Sequence, residues 1–418
     1  MFVYLIIVVY LIGCIYATWQ LAWWLKRTRW GHKHKLHWYA IALGLVSLIP
    51  LVAAFLPESL FDAYLQQFSN VWLGLLAAFT AQLVIWHIVK HFIHMVSTRQ
   101  AELILGITLG LTLLFNVTGF IHAQQIYTHY YAVKVSADST ELVSEALYNN
   151  DSSKFSEADI AKPEGATRLA FLSDMHMGVN TLYSTIEETV DLVNTSEPDY
   201  VIGGGDYFTS SYVGLFYGGK YADLLATMTD EDTPAYMAYG NHDVTEPLFC
   251  GFAIKDPHKV YRNDDMKRFF KRCNWTMLDD ECIELDGMSF YFRQDASKSG
   301  DGKNKRCGCK DISACVDETK PFIVVEHEPD EFNELADIGA ELVLSGHTHD
   351  GQVWPGTWIT RLASKNAHGY KAARDIPSLE QSARNMNMAT ITSSGSGYFG
   401  PPLRIGCHSE VVIIDLIQ

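Results

Sequence analysis

Five short apolar runs in the second half of the chain each end in side chains able to hold a metal ion. TRLAFLSDMHMG ends in Asp174 and His176, PDYVIGGGDY in Asp206, and PAYMAYGNHDV in Asn241, His242 and Asp243. PFIVVEHEPD ends in His327, and LVLSGHTHDG in His347 and His349. Each run reads as a short buried strand closed by a glycine or polar turn. The carboxyl ends of strands are where open α/β sheets gather their ligands. One polar strand end is ordinarily a capping or loop residue, but five out of five leave little room for that explanation.

The donor types point to borderline divalent ions such as manganese, iron or zinc. Soft thiolates are absent from these strand ends and carboxylates are few, which disfavours copper(I) and calcium. Seven donors (Asp174, His176, Asp206, Asn241, His327, His347 and His349) exceed one tetrahedral or octahedral site. They suit two sites that share a bridging carboxylate. Two ions about 3.5–4 Å apart can clamp a phosphate, polarise its oxygens and turn a bridging water into hydroxide. His242 follows a donor directly and is not needed to fill either site, so it can give a proton to a leaving oxygen.

The motifs DMH, GGD, GNHD, a lone histidine after an apolar strand and GHTH resemble the calcineurin-like metallophosphoesterase superfamily over about residues 167 to 418. The resemblance implies an αββα sandwich with a di-metal centre. It assigns Asp174, His176 and His349 to one ion, Asn241, His327 and His347 to the other, Asp206 to both, and the leaving-group acid to His242. The tail, GHTHDGQVWP then TSSGSGYFGPPLRIGCHSEVVIIDL, is similar to the membrane-anchored branch, which includes multi-span transmembrane proteins with a metallophosphoesterase domain. Relatives of that branch act on phosphodiester or pyrophosphate bonds, some of them in lipids. The pattern is broken in two places. Thr209 stands in GDYFTSS where the superfamily often has a carboxylate or Asn that supports the catalytic histidine, and Asp243 is the candidate substitute. Residues 295–320, with their cysteines, read as an insertion before the His327 strand.

The elements that must position these donors follow an α/β pattern. LYSTIEETVDLVN carries Leu182, Ile186, Val190 and Val193 at helical spacing, and DDMKRFFKRC reads as a second helix. Residues 275–293 alternate as a hairpin, and MATITSSG and EVVIIDL add closing strands. The polar stretch 126–166 reads as a linker, leaving 167–418 as the catalytic domain.

Residues 1–125 are of another kind. Four apolar segments, Phe2 to Leu25, Trp38 to Leu56, Val71 to Val89 and Leu103 to Ile121, each approach the length a bilayer requires. Lys26, Arg27, Arg29, Lys33 and Lys35 follow the first, and Lys90 and Arg99 follow the third, whereas Glu58 and Asp62 lie between. By the positive-inside rule the basic loops are cytoplasmic, so the catalytic domain is expected in the periplasm or at the cell exterior. His87, His91 and His94 share a helical face, for which snorkelling at the interface outweighs metal binding. Ionisable residues are otherwise nearly absent from the spans, which argues for an anchor and against an ion-coupled transporter. Of 8 cysteines only Cys14 is in a span, and an exported domain makes disulfides the expectation for the rest, with one thiol left over.

Composition sets the partners. Across 418 residues the net charge is −16, which disfavours nucleic acid. The bilayer and a phosphorylated lipid or small phosphoester remain. Tyr207 and Phe208 in YFTSSYVGLFYGG and Phe249 in VTEPLFCGF are candidates for a lipid-admitting rim, with core packing as the alternative. Arg404 and Lys365 are candidates to neutralise a substrate phosphate. The leading reading is a membrane-anchored di-metal phosphoesterase acting on a phosphomonoester, phosphodiester or pyrophosphate of a lipid or lipid-linked headgroup. The alternatives are a tethered phosphatase of soluble phosphoesters and a non-catalytic metal-dependent scaffold or sensor.

Overall fold

In a computed structural model the described residues are 2–33, 37–92, 96–149, 161–210, 215–254, 260–298, 306–308, 312, 317–377, 379 and 387–418. The chain divides into two compact units, one of helices and one built on two sheets.

In the sheet unit the central strands are buried on both faces, and alternation sorts their side chains between two layers. β3 (Thr167–Leu172) sends Leu169 and Phe171 into the space between the sheets, and Ala170 and Leu172 to the helices outside. β9 (Phe322–Val325) sends Ile323 and Val325 inward, and Phe322 and Val324 outward. β10 (Leu342–Ser345) and β13 (Ser409–Ile417) repeat the pattern.

The first sheet has seven strands in the order β6-β5-β4-β3-β13-β1-β2, where β1 is Ile126–Ser136, β2 Ser139–Asn149, β4 Tyr200–Gly203, β5 Ala235–Met237 and β6 Trp275–Met277. The second has six in the order β7-β8-β9-β10-β12-β11, where β7 is Glu281–Leu285, β8 Met288–Phe292, β11 Gly369–Ala372 and β12 Ala389–Thr392. Parallel runs β3-β4-β5 and β9-β10-β12 aim the donor-bearing ends the same way within each sheet. Helices Tyr183–Thr195, Gly218–Leu225 and Asp264–Arg272 supply the outer core of the first sheet. Helix Phe332–Asp337 supplies that of the second. This is the mixed αββα layering expected of the chemistry-bearing half.

The segment read as a linker is not one. Its residues 126–149 form β1 and β2, with β1 lying parallel to β13 from Ile126↔Ser409 to Lys134↔Ile417. The misreading has a physical source: β2 is an edge strand with an exposed face, so its sequence is polar.

Among the described residues the helical unit has three helices long and apolar enough to cross a bilayer, Phe2–Leu25, Leu60–Val89 and Thr98–Ala123. The fourth expected span is two shorter helices, His37–Val46 and Ile49–Ala53. Pro50 sits in the first turn of the latter and has no N–H to offer the carbonyl of Val46, so the ladder stops there. Two segments from later in the sequence, Glu246–Pro257 and Phe399–Leu403, belong to this unit. Within it Phe249 is fully buried, edge-on to Tyr10 at 5.2 Å, and Phe252 meets Phe399 at 5.2 Å. Phe249 is thus a packing residue of the helical unit and not the rim residue expected of it. His87 hydrogen-bonds Gln20, and His94 lies outside the described residues.

Candidate metal centre

All seven expected donors come together. Asp174 Oδ1 lies 3.4 Å from His349 Nε2 and 3.8 Å from His176 Nε2. Asp206 Oδ2 lies 3.0 Å from His327 Nε2, which is 3.3 Å from His347 Nδ1, itself 3.2 Å from Asn241 Oδ1. Asp206 Oδ2 is also 3.5 Å from His176 Nε2, so one carboxylate oxygen stands between both groups. Asp174, His176, Asp206 and His327 are almost completely buried, whereas His347 is exposed at the mouth.

The backbone is bent to bring them there. Asp174, His176, Asp206, His347 and His349 all have positive φ, between 43° and 72°. Each such residue costs on the order of 1–3 kcal/mol and persists only where its surroundings over-determine it. Two glycines make the crowding possible. A Cβ on Gly346 would stand 1.9 Å from Ser173 Oγ, and one on Gly240 would stand 2.2 Å from Asp206 Oδ1.

Hydrogen bonds fix the donors from behind. Asp174 Oδ2 accepts from Ser173 Oγ at 2.6 Å and from the His347 amide at 2.8 Å. Its buried Oδ1 accepts no hydrogen bond among the described residues, which leaves that oxygen open to a cation. His327 Nδ1 donates to the Gly204 carbonyl at 2.8 Å, leaving Nε2 turned toward Asp206, the arrangement that orients a ligating imidazole.

Electrostatics agree with a cation site. Burial opposes the charge on Asp206, but the imidazoles of His327, His242 and His176 hold its carboxyl well below the usual carboxylate range. Burial opposes charge on His327 too, and Asp206 overcomes it and raises His327 well above the ordinary imidazole value, so the pair holds a proton where a cation fits. Burial lowers His176 and His349, keeping both neutral as ligands must be.

Residues 167–351 match the sequence model of the calcineurin-like phosphoesterase family. The chain carries a calcineurin-like phosphoesterase domain. An uncharacterized metallophosphoesterase of Helicobacter pylori strain 26695 is 27% identical over 256 residues, a match spanning 60% of each chain. A Campylobacter jejuni metallophosphoesterase is 23% identical over 87% of each chain. A zebrafish transmembrane protein with metallophosphoesterase domain is 29% identical, covering 60% of this chain and 53% of its own length.

Several residues of the phosphoesterase domain have work that the sequence did not reveal. Asp243 accepts the amides of Asp206, Tyr207, Phe208 and Gly240 at 2.8–3.2 Å, so it staples the Asp206 loop and does not orient His242 through a substitute carboxylate. Burial, with the Asp206 charge adding, pushes Asp243 up to about 7. Thr209 Oγ1 donates to the His176 carbonyl at 3.0 Å and lies 3.4 Å from its Nδ1, so it supports a donor of the centre. The His242 amide donates to Asp206 Oδ1 at 2.7 Å, and its ring is 5.3 Å from that of His176.

Tyr207 and Phe208 are fully buried in the outer core of the first sheet, packed on Phe270, and do not line a rim. Arg404 is also fully buried. It donates to the carbonyls of His349, Ser394, Gly395, Gly397 and His408, and lies 3.3 Å from His349 Nδ1. It braces a donor and is closed to substrate. Lys365 pairs with Asp330. Of the cysteines, Cys282 is disulfide-bonded, while Cys14, Cys250, Cys273 and Cys407 are free thiols. Cys309 and Cys315 lie outside the described residues, as does most of the insertion.

Proposed function

We propose that the chain is a membrane-anchored, metal-dependent phosphoesterase. Asp174, His176 and His349 would hold one divalent ion, Asn241, His327 and His347 would hold a second, and Asp206 is placed to serve both. The reading rests on the position of Asp206 Oδ2, 3.0 Å from His327 Nε2 and 3.5 Å from His176 Nε2. The mixed imidazole and oxygen donors suit manganese, iron or zinc. Two such ions, when bound, supply Lewis acidity toward a phosphoryl oxygen and a water acidic enough to attack at neutral pH.

The chain's own residues do the rest. Asp243 and Thr209 keep the Asp206 and His176 loops rigid, and Arg404 fixes His349. His242 gives its proton to the leaving oxygen. Burial holds His242 well below the ordinary imidazole value in the free centre, so this role requires the negative charge of a bound phosphate to raise it. The substrate is a phosphorylated lipid or a lipid-linked headgroup, a reading supported by three apolar helices of spanning length in the same chain.

Manganese-loaded full-length protein is expected to hydrolyse a chromogenic phosphodiester, and Asp206→Asn to abolish the reaction. Equal inertness of both proteins across several metals and lipid phosphates would sink the enzyme reading. Lipid-free short-chain substrates turned over as fast as vesicle-borne ones would favour the tethered soluble phosphatase instead.

The catalytic domain is extracytoplasmic. Lys90 and Arg99 flank the turn before the last span, and a basic loop there places the residues after Ala123 on the opposite side. The basic loop after the first span satisfies the same rule only if residues 37–53 also cross. At about 1.5 Å per residue they reach about 25 Å, just short of a bilayer core. A carboxyl-terminal reporter active only inside the cell would reverse the orientation.

A further inference from the structure

The apolar face of the phosphoesterase domain lies elsewhere than the sequence suggested. A short helix, Gly356–Ala363, follows the turn that carries His349. Trp358, Ile359 and Leu362 are 61%, 64% and 89% exposed, and Trp354, just before the helix, is 50% exposed. At 100° per residue the three helical positions share an arc of about 100°. The indoles of Trp354 and Trp358 meet edge to face at 5.7 Å.

The helix is firmly held. Thr357 is buried beneath it, the Trp354 amide donates to the Ile405 carbonyl at 2.8 Å, and Arg361 makes a two-pronged ion pair with Asp350. A fixed, solvent-facing cluster of four large apolar side chains is the kind of patch that marks an interaction surface.

We propose that this face, formed by Trp354, Trp358, Ile359 and Leu362, inserts into the interfacial zone of the bilayer that anchors the chain. Tryptophan with aliphatic neighbours on one side of a short helix is the composition of an interfacial membrane contact. Only Gln124 and Gln125 separate the last apolar helix from β1. That link reaches about 10 Å at most, whatever the orientation of the two units. Between Asp350 and Asp375 there is no Asp or Glu, in a chain of net charge −16, so nothing acidic in this segment repels anionic headgroups. Arg361, Lys365 and Arg374 are each paired with an Asp, so insertion of the apolar side chains carries the binding. Docking here would fix the loop bearing His349 to the lipid surface. The inference rests on the membrane-spanning reading and deepens the lipid-substrate proposal.

The test uses the full chain in phosphatidylcholine vesicles, with photoreactive benzoylphenylalanine at position 362 or, as control, at Arg268, an exposed residue of another helix of the same unit. Because Leu362 is almost fully exposed, the replacement leaves the fold intact. Illumination is expected to give a phosphatidylcholine adduct at 362 and none at 268. No lipid adduct at 362, equal labelling at both positions, or cross-links only to a second copy would each overturn the proposal. No turnover is measured, so failure here is separable from failure of the enzymatic reading.

Discussion

Two clusters in the sheet unit are each built from imidazoles and carboxylates, and they are put together in opposite ways. One is the centre around Asp174 and Asp206. The other joins His129 of β1, Glu410 of β13 and His368. In the second, His129 Nδ1 is 3.0 Å from Glu410 Oε2 and its Nε2 is 2.9 Å from Glu145, while His368 Nε2 is 3.0 and 3.1 Å from the two Glu410 oxygens. Ser394 donates its amide to Glu410 at 2.8 Å. Every close contact there is at hydrogen-bond length. At the centre the donors lie 3.0–3.8 Å apart and Asp174 Oδ1 has no hydrogen bond among the described residues.

Donors around a tetrahedral ion with bonds of about 2.0–2.1 Å sit about 3.3 Å apart, so the wider set suits a cation and the tighter set suits shared protons. The difference lies in the backbone. His129 and Glu410 sit on regular paired strands and relax onto each other, whereas five of the centre's seven donors, Asp174, His176, Asp206, His347 and His349, sit on left-handed backbone that holds them apart. Residue type nominates a metal site, and strained geometry decides it.

The largest expected effect falls on the centre. Asp206→Asn should lower phosphoesterase activity by at least about 10³-fold, about 4 kcal/mol of barrier, and should reduce bound metal in elemental analysis. Glu410→Gln should leave metal content unchanged, and the loss of one ion per chain in that variant would break the comparison. The same variant should instead cost about 3–5 kcal/mol of stability, because it strands buried histidines that had been paired, and thermal melting reads this as a lowered Tm.

His242→Asn is expected to slow hydrolysis by about 10²-fold for a poor leaving group and by much less for a nitrophenolate, which needs no proton. An equal loss for both leaving groups would remove His242 from the acid role.

The smallest effect is a pH dependence confined to the second cluster. Burial opposes charge on Glu410, but His368 and His129 hold its carboxyl well below 4.5, so its contribution is present above 4.5 and is lost as pH falls through the depressed value. Burial also opposes charge on His368, but Glu410 raises it above 6.5, so its contribution is present below 6.5 and is lost as pH rises through the raised value. The Tm difference between wild type and Glu410→Gln should therefore peak between about 4.5 and about 6.5. A difference that failed to shrink both well below 4.5 and well above 6.5 would mean the cluster does not titrate as a unit.

Much of the centre was legible because its signals are local. A strand of alternating apolar residues, a glycine and a donor lie within a dozen positions, and the seven donors stand in five such runs. The spans were legible for the same reason, save where Pro50 splits one. What failed were inferences about surroundings. Tyr207 and Phe208 look like rim residues beside Asp206, yet both are core, and the exposed apolar face is Trp358, Ile359 and Leu362, which look no different in sequence. Arg404 reads as a phosphate-binding arginine and is buried among carbonyls.

By itself the sequence determined which residues can ligate, which strands deliver them and which helices can cross a bilayer, because those properties belong to short stretches of chain. Only the tertiary structure decided which donors meet at one oxygen of Asp206, that Asp243 staples the loop beside it, and which apolar side chains face outward. Those depend on packing between segments up to two hundred residues apart, where the same side chain is core, brace or surface according to what folds over it.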